Sequence, residues 1–299
     1  MGGHAVTETI EGATYRRHAF LLGFLNKAEV DAFFSQLPVR LAPGTVLADA
    51  HQQARIAKAA LGAFNTGATQ PLPAALIPSA EEVRERAVYK KEYEAKGDYE
   101  FVSVPIDSLL TPQMNVDMDY VAELAATLPD AVDDAADFAF AFPSGQIAEP
   151  FVRGNTAVFT SHAPNIAISP VPVLRRTAEG FDIVFEAKSR PNFIMVARVP
   201  GRLVLHNGVH KVLALKARGR TRTFAVAHEL QHQNQLGLGQ GNLSMFSEAN
   251  YSQAVRPPLV VDFNSAAAVP VFMRATTNIY RLAGQTEEVV APALSTPTV

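Results

Sequence analysis

The stretch from Arg202 to Glu229 constrains this chain more than any other, because it reads as strand, glycine turn, helix, glycine, strand. Arg202-Leu203-Val204-Leu205-His206 has strand character, Asn207-Gly208 is a turn dipeptide, and Val209 to Arg218 carries a helical pattern. Gly219 stands where a helix C-terminal cap belongs, and Thr221 to Ala227 alternates polar with apolar residues as a strand does. Gly208 allows an unusual dihedral or a close approach to a ligand. The amides of Val209, His210 and Lys211 then open at the positive end of the helix, where an anion is stabilised. His210 and Lys211 add donors and charge, and Lys216, Arg218, Arg220 and Arg222 keep the neighbourhood basic. A phosphate or carboxylate held by Asn207, Gly208, Val209, His210 and Lys211 is the expectation.

Elsewhere the chain alternates helical and strand-like segments. Tyr15 to Leu25 is the apolar part of one or two N-terminal strands, and Asn26 with Glu29 has capping-box spacing for a short helix. Ala48 to Phe64 is Ala-rich and helical, Thr66 to Pro78 reads as a loop, and Ser79 with Glu82 repeats the capping-box spacing before a charged connector. Phe101 to Ile106 is a strand, and Asp119 can cap a helix carrying Val121, Leu124, Ala125 and Leu128. Residues 130–190 lean towards β, as do Asn192 to Val199, Val269 to Arg274 and Asn278 to Leu282. Asp130, Asp133, Asp134 and Asp137 form an acidic cluster that reads as a solvated loop or helix end.

Composition narrows the functional classes. With 48% hydrophobic and 18% charged residues in 299, the chain has enough apolar content to bury a core. Cysteine is absent, which excludes disulfides, thiolate metal sites and cysteine nucleophiles, and leaves the eight histidines and the carboxylates as metal ligands. A net charge of −3 offers no global basic surplus for duplex DNA, so a duplex-DNA role is not expected. The N-terminus has no signal-peptide pattern and no apolar stretch approaches a bilayer span, so the expectation is a cytoplasmic protein without a membrane partner.

The strand–turn–helix unit resembles the ParB/sulfiredoxin-like family. The match rests on Gly208-Val209-His210-Lys211, Ala214 and Gly219, with Lys211 where an arginine is usual. Pro105-Ile106-Asp107 and the helix from Asp119 to Leu128 resemble the family's opening, and Arg190-Pro191-Asn192-Phe193-Ile194 stands in the place of its middle strand. The resemblance spans roughly Tyr99 to Glu229 with an insertion-like stretch at 130–190. It implies a nucleotide or phosphorylated small molecule bound with Mg2+ at the turn, and a phosphohydrolase or phosphotransferase with Asp107 as general base or metal ligand. Sulfiredoxin chemistry is excluded, because Val209 stands where the cysteine belongs. No helix-turn-helix pattern comes after the module, which argues against a DNA-partition role.

A competing signal is His228-Glu229-Leu230-Gln231-His232. On a helix, histidines at i and i+4 share one face and can hold Zn2+, with Glu229 as the base acting on a metal-bound water. Glu248, in Glu248-Ala249-Asn250, is available as a third ligand, and the combination resembles the ImmA/IrrE metallopeptidases. Against it, Thr221 to Ala227 alternates like a strand and Gly237, Gly239 and Gly241 lie close behind. A non-catalytic interaction protein, with a protein partner, is the third class.

The expectation is therefore a mixed α/β chain. Residues 1–97 form a mainly helical region, 98–290 a ParB/sulfiredoxin-like domain with inserted β-strands, and 291–299 a loose tail.

Overall fold

The computed structural model describes residues 8–10, 13–35, 47–59, 61, 66–71, 73, 76, 99–143, 146–147, 151–153, 156–161, 166–168, 173–178, 180–184, 187–189, 192–229, 256–275 and 278–283. The fold is mixed α/β, as expected. The chain divides into two compact units, Met1–Ser144 with Pro191–Ala275, and Gly145–Arg190 with Thr276–Val299.

The first unit opens with β1 (Glu8–Ile10) and β2 (Ala13–Phe20). Helix α1 (Lys27–Ser35) comes next, and its capping box is real: Asn26 N–H donates to Glu29 Oε2 at 2.8 Å, and Glu29 N–H donates to Asn26 Oδ1 at 3.0 Å. After α2 (Leu47–Ala59) come β3 (Gln70–Pro71), β4 (Tyr99–Pro105), β5 (Leu109–Leu110) and β6 (Asn115–Asp117). Helix α3 (Met118–Ala126) is capped by Asp117, whose side chain accepts from Tyr120 N–H at 2.9 Å. The expected cap, Asp119, lies inside the helix, buried, with Oδ2 accepting from Arg17 N–H at 2.7 Å. Val121, Ala125 and Leu128 are buried, the i, i+4, i+7 stripe that the sequence suggested.

Residues 134–141 are not β-structure. They form α4 (Asp134–Ala141), because Asp133 caps the helix by accepting from the amides of Ala135 and Ala136. After the second unit's segment the chain returns as β14 (Met195–Val199), β15 (Arg202–Asn207), α5 (Val209–Ala217), β16 (Arg222–Glu229) and β17 (Val269–Arg274).

Six strands make a mixed sheet in the order β3-β4-β16-β14-β15-β5. Here β16 is antiparallel to β4 and parallel to β14, while β15 is antiparallel to β14 and parallel to β5. A second sheet has the order β1-β2-β17, with β6 also pairing β2. The N-terminal segment is thus not separate from the chain beyond residue 98: β2 pairs with β6 and β17, and β3 with β4. An eight-residue strand with Tyr15, Ala19 and Phe20 buried needs partners on both edges, and β6 and β17 both come from beyond that point.

The main core joins both sides of the large sheet. Val102, Val104, Val196, Leu205 and Val226 pack with Val209, Val212, Leu213 and Leu215 of α5 and Val121 of α3. An aromatic chain ties α4 to the sheet: Phe142 meets Phe101 at 5.2 Å, Phe138 at 4.8 Å and Phe193 at 5.6 Å, and Phe138 meets Phe224 at 5.8 Å. A smaller cluster on the sheet unites Leu110, Ala197, Val204 and Leu259.

The second unit is all β among its described residues: β7 (Gln146–Ile147), β8 (Phe151–Arg153), β9 (Thr156–Ser161), β10 (Ile166–Ile168), β11 (Val173–Arg176), β12 (Phe181–Val184), β13 (Ala187–Ser189) and β18 (Asn278–Ala283). Its pairings are antiparallel, in sheets of order β10-β13-β7, β11-β12 and β18-β9-β8. Strands β7 to β13 lie within the stretch at 130–190 that leans towards β in the sequence, and β18 lies beyond it. No helix among the described residues is long and apolar enough to cross a membrane.

Candidate functional site

The strand–glycine–helix–glycine–strand unit forms as the sequence suggests. Gly208 caps α5 with φ 94° and Gly219 stands past its last turn with φ 78°, both in the left-handed region. Gly208 is constrained twice, since a Cβ there would stand 3.0 Å from Ile194 Cγ1 and 3.1 Å from Ile194 Cα. No side chain caps α5, so the first-turn amides of Val209, His210 and Lys211 keep the donor character of a helix N-terminus. Asn207 closes the turn from the strand side, its Nδ2 donating to Asn192 Oδ1 at 2.6 Å and to Phe193 O at 3.0 Å.

Lys211 is the unusual group. It is buried, and its Nζ donates to Phe140 O at 2.8 Å and Asn192 O at 2.5 Å, over the Phe140 ring at 5.4 Å. Burial alone lowers its pKa to about 8, and no carboxylate contributes to hold the charge. Two carbonyl dipoles and a π-face offset part of the desolvation. The result is a positive charge at the helix N-terminus without a protein counter-ion among the described residues.

His210 departs from the expectation. Its Nε2 accepts from Asp117 N–H at 3.3 Å, which places the ring proton on Nδ1, and its ring meets Tyr120 edge-on at 5.3 Å. Burial, the largest influence, lowers its pKa to about 4; Asp117 opposes this, while His18 and Arg16 add to it. At neutral pH His210 brings no charge to the turn. It belongs to a polar group in which Arg16 pairs with Asp117 at 2.5 Å and Glu123 at 3.0 Å, and burial likewise lowers the pKa of His18.

Asp107 is not at the turn. It lies just past β4 and pairs with Lys216 at 2.5 Å, in the last turn of α5, with its side chain 62% exposed. A nine-residue helix is roughly 13 Å long, so Asp107 and the Gly208 turn lie at opposite ends of α5. That distance removes Asp107 as a catalytic partner of the turn.

The basic run does not surround the turn either. Arg218 pairs with Asp130 and donates to Ala125 O at 2.6 Å, while Arg222 donates to Ser103 Oγ at 3.0 Å and Ser103 O at 2.8 Å. Arg220 and Asp137 form a buried pair at 3.0 Å. Of the acidic cluster, Asp137 alone is buried; Asp130, Asp133 and Asp134 are exposed, and Asp133 caps α4.

The HELQH string begins on a strand. His228 and Glu229 end β16, with His228 opposite Ala197 and Glu229 opposite Arg198 of β14, so the first two positions lack the helix a zinc protease needs. His232 and Glu248 lie outside the described residues. Arg198 reaches the exposed carboxylate of Glu229 at 3.6 Å. His228 is buried and meets His206, with His206 Nδ1 and His228 Nε2 3.1 Å apart. The sequence alone singles out neither His206 nor Asn192 as a functional group, because both acquire a role only through strand register.

Comparison with protein-family models, curated proteins and solved structures finds no match.

Proposed function

We propose that the chain binds a phosphate-bearing ligand, such as a nucleotide, at the N-terminal turn of α5, on a ParB/sulfiredoxin-like arrangement of strands and helices. The observation that carries this is Lys211, a buried ammonium held by two carbonyls beside uncapped helix amides. An anion at the turn would supply the missing counter-charge to Lys211 and the missing acceptor to the amides.

The family-like order of pieces supports the arrangement: Pro105-Ile106-Asp107 after a strand, then α3, then β15, Gly208, α5 and Gly219. Mg2+ would enter with the ligand's phosphates. Asp117 approaches the turn through His210 but is already engaged by Arg16 and by capping α3. With Asp107 at the other end of α5, the reading is one of binding, and a phosphohydrolase or phosphotransferase step has no assigned base. Zinc peptidase chemistry through His228, Glu229, His232 and Glu248 is the less supported reading, given the strand at its first two residues.

The test is thermal denaturation of the full chain against nucleoside mono-, di- and triphosphates and pyrophosphate, each with and without Mg2+. At least one is expected to raise Tm, and Lys211→Met, which keeps the aliphatic stem, is expected to abolish the rise while remaining folded. An unmoved Tm across that panel would sink the proposal.

A further inference from the structure

His206 and His228 lie outside the phosphate-type turn, on strands that flank β14. His228 faces Ala197 across the β16–β14 ladder, and Ala197 in turn faces Val204 of β15, so His228, Ala197 and Val204 share a sheet face. His206, two residues beyond Val204, falls on that face beside a register shift at Met195/Val196. The small side chain of Ala197 leaves room for the two imidazoles to meet across the intervening strand.

We propose that His206 and His228 together bind one divalent transition-metal ion through His206 Nδ1 and His228 Nε2. Three features of the pair support this. A tetrahedral ion about 2.05 Å from each nitrogen would hold them roughly 3.3 Å apart, with ring centres about 5.2 Å apart. The observed separations are 3.1 Å between the nitrogens and 5.2 Å between the ring centres. His228 Nδ1 lies 3.3 Å from the carbonyl oxygen of Glu229. A proton on Nδ1 donated to that carbonyl leaves Nε2 with its lone pair towards His206, the backbone-fixed tautomer typical of metal-bound histidine. His228 is buried, as are Ala197 opposite it in the ladder and Val204 opposite Ala197.

Two imidazoles fill half of a tetrahedron, and among the described residues no group of three His, Asp or Glu forms around an ion site. The site differs from the HELQH arrangement, which pairs His228 with His232 on a helix.

The experiment is titration of the full-length, chelator-treated protein with Co2+, followed by its visible ligand-field absorption, and with Zn2+ in competition. The proposal expects about one ion per chain with a tetrahedral-type cobalt spectrum. His206→Ala is expected to weaken binding at least tenfold, and His232→Ala to leave it unchanged. His228→Gln is a second variant, and the half-buried His206 carries the test if His228→Gln does not fold. Absence of binding overturns the proposal, as does binding that survives His206→Ala or vanishes with His232→Ala alone.

Discussion

Removing the Asp137 carboxylate should be among the most damaging single changes in the first unit. Arg220 and Asp137 are 3% and 6% exposed. Arg220 Nε donates to Asp137 Oδ2 at 3.0 Å and Nη2 to Oδ1 at 3.2 Å. Its other protons reach the carbonyls of Pro129 at 3.0 Å, Ala131 at 2.7 Å, Asp130 at 3.2 Å and Arg218 at 3.0 Å. One guanidinium thereby fastens the 129–131 turn and α4 to the start of β16. Asp137→Ala leaves a buried cation facing carbonyl dipoles alone, and breaking such a pair costs about 3–5 kcal/mol. Four carbonyls remain to solvate the guanidinium, so the low end, about 3 kcal/mol, is expected. That is a large share of a typical folding stability of roughly 5–15 kcal/mol. Urea denaturation of the full chain, followed by circular dichroism, reads it. The pair Asp137→Leu with Arg220→Met should recover much of the loss, because both charges leave together. A cost below about 1 kcal/mol for Asp137→Ala, or a double variant as unstable as the sum of the singles, would refute this account of the pair.

Other expectations concern the turn and its surroundings. His210 titrates near 4 in the folded state against 6.5 in a free chain, so the unfolded state binds its proton first. Stability should therefore rise from about pH 4 to 6.5, His210 contributing about 3 kcal/mol of that change, and His210→Gln should flatten the slope in pH-dependent urea unfolding; an unchanged slope refutes it. Lys211 loses its charge near pH 8, so affinity for a phosphate ligand should fall as pH rises through 8, and calorimetric titration showing constant affinity from pH 7 to 9.5 would count against it. Gly208→Ala meets both a left-handed φ of 94° and Ile194, and should cost about 2 kcal/mol. Gly23→Ala would bring a Cβ to 2.7 Å from Lys58 N of α2 and should cost about 2 kcal/mol by overpacking; a Tm unchanged in either glycine variant contradicts the corresponding contact.

Local signals in the sequence translated well. Asn26 and Glu29 form the capping box their spacing suggested, α5 ends at Ala217 beside Gly219, and β16 is a strand as read, although Thr223 to His228 are buried without a break and not alternately. The features that a linear reading misses depend on long-range pairing. Asp137 and Arg220 are 83 residues apart, so nothing local marks them as partners rather than as solvated charges. The run Lys216, Arg218, Arg220 and Arg222 looks like one basic patch, but it spans the end of α5 and the start of β16, and each side chain finds its own acceptor. Asp107 and Gly208 bracket the same helix, and only its length separates them. His206 and His228 meet because the sheet order places β14 between their strands.

Phosphate binding at the N-terminal turn of α5 is read out by amide-resolved NMR titration of the full-length protein with pyrophosphate or a nucleoside triphosphate and Mg2+. Saturable shifts centred on the amides of Gly208, Val209, His210 and Lys211, with an upward shift of the Lys211 pKa from about 8, are the predicted result. Shifts confined to other parts of the chain, or none at millimolar ligand, would contradict it.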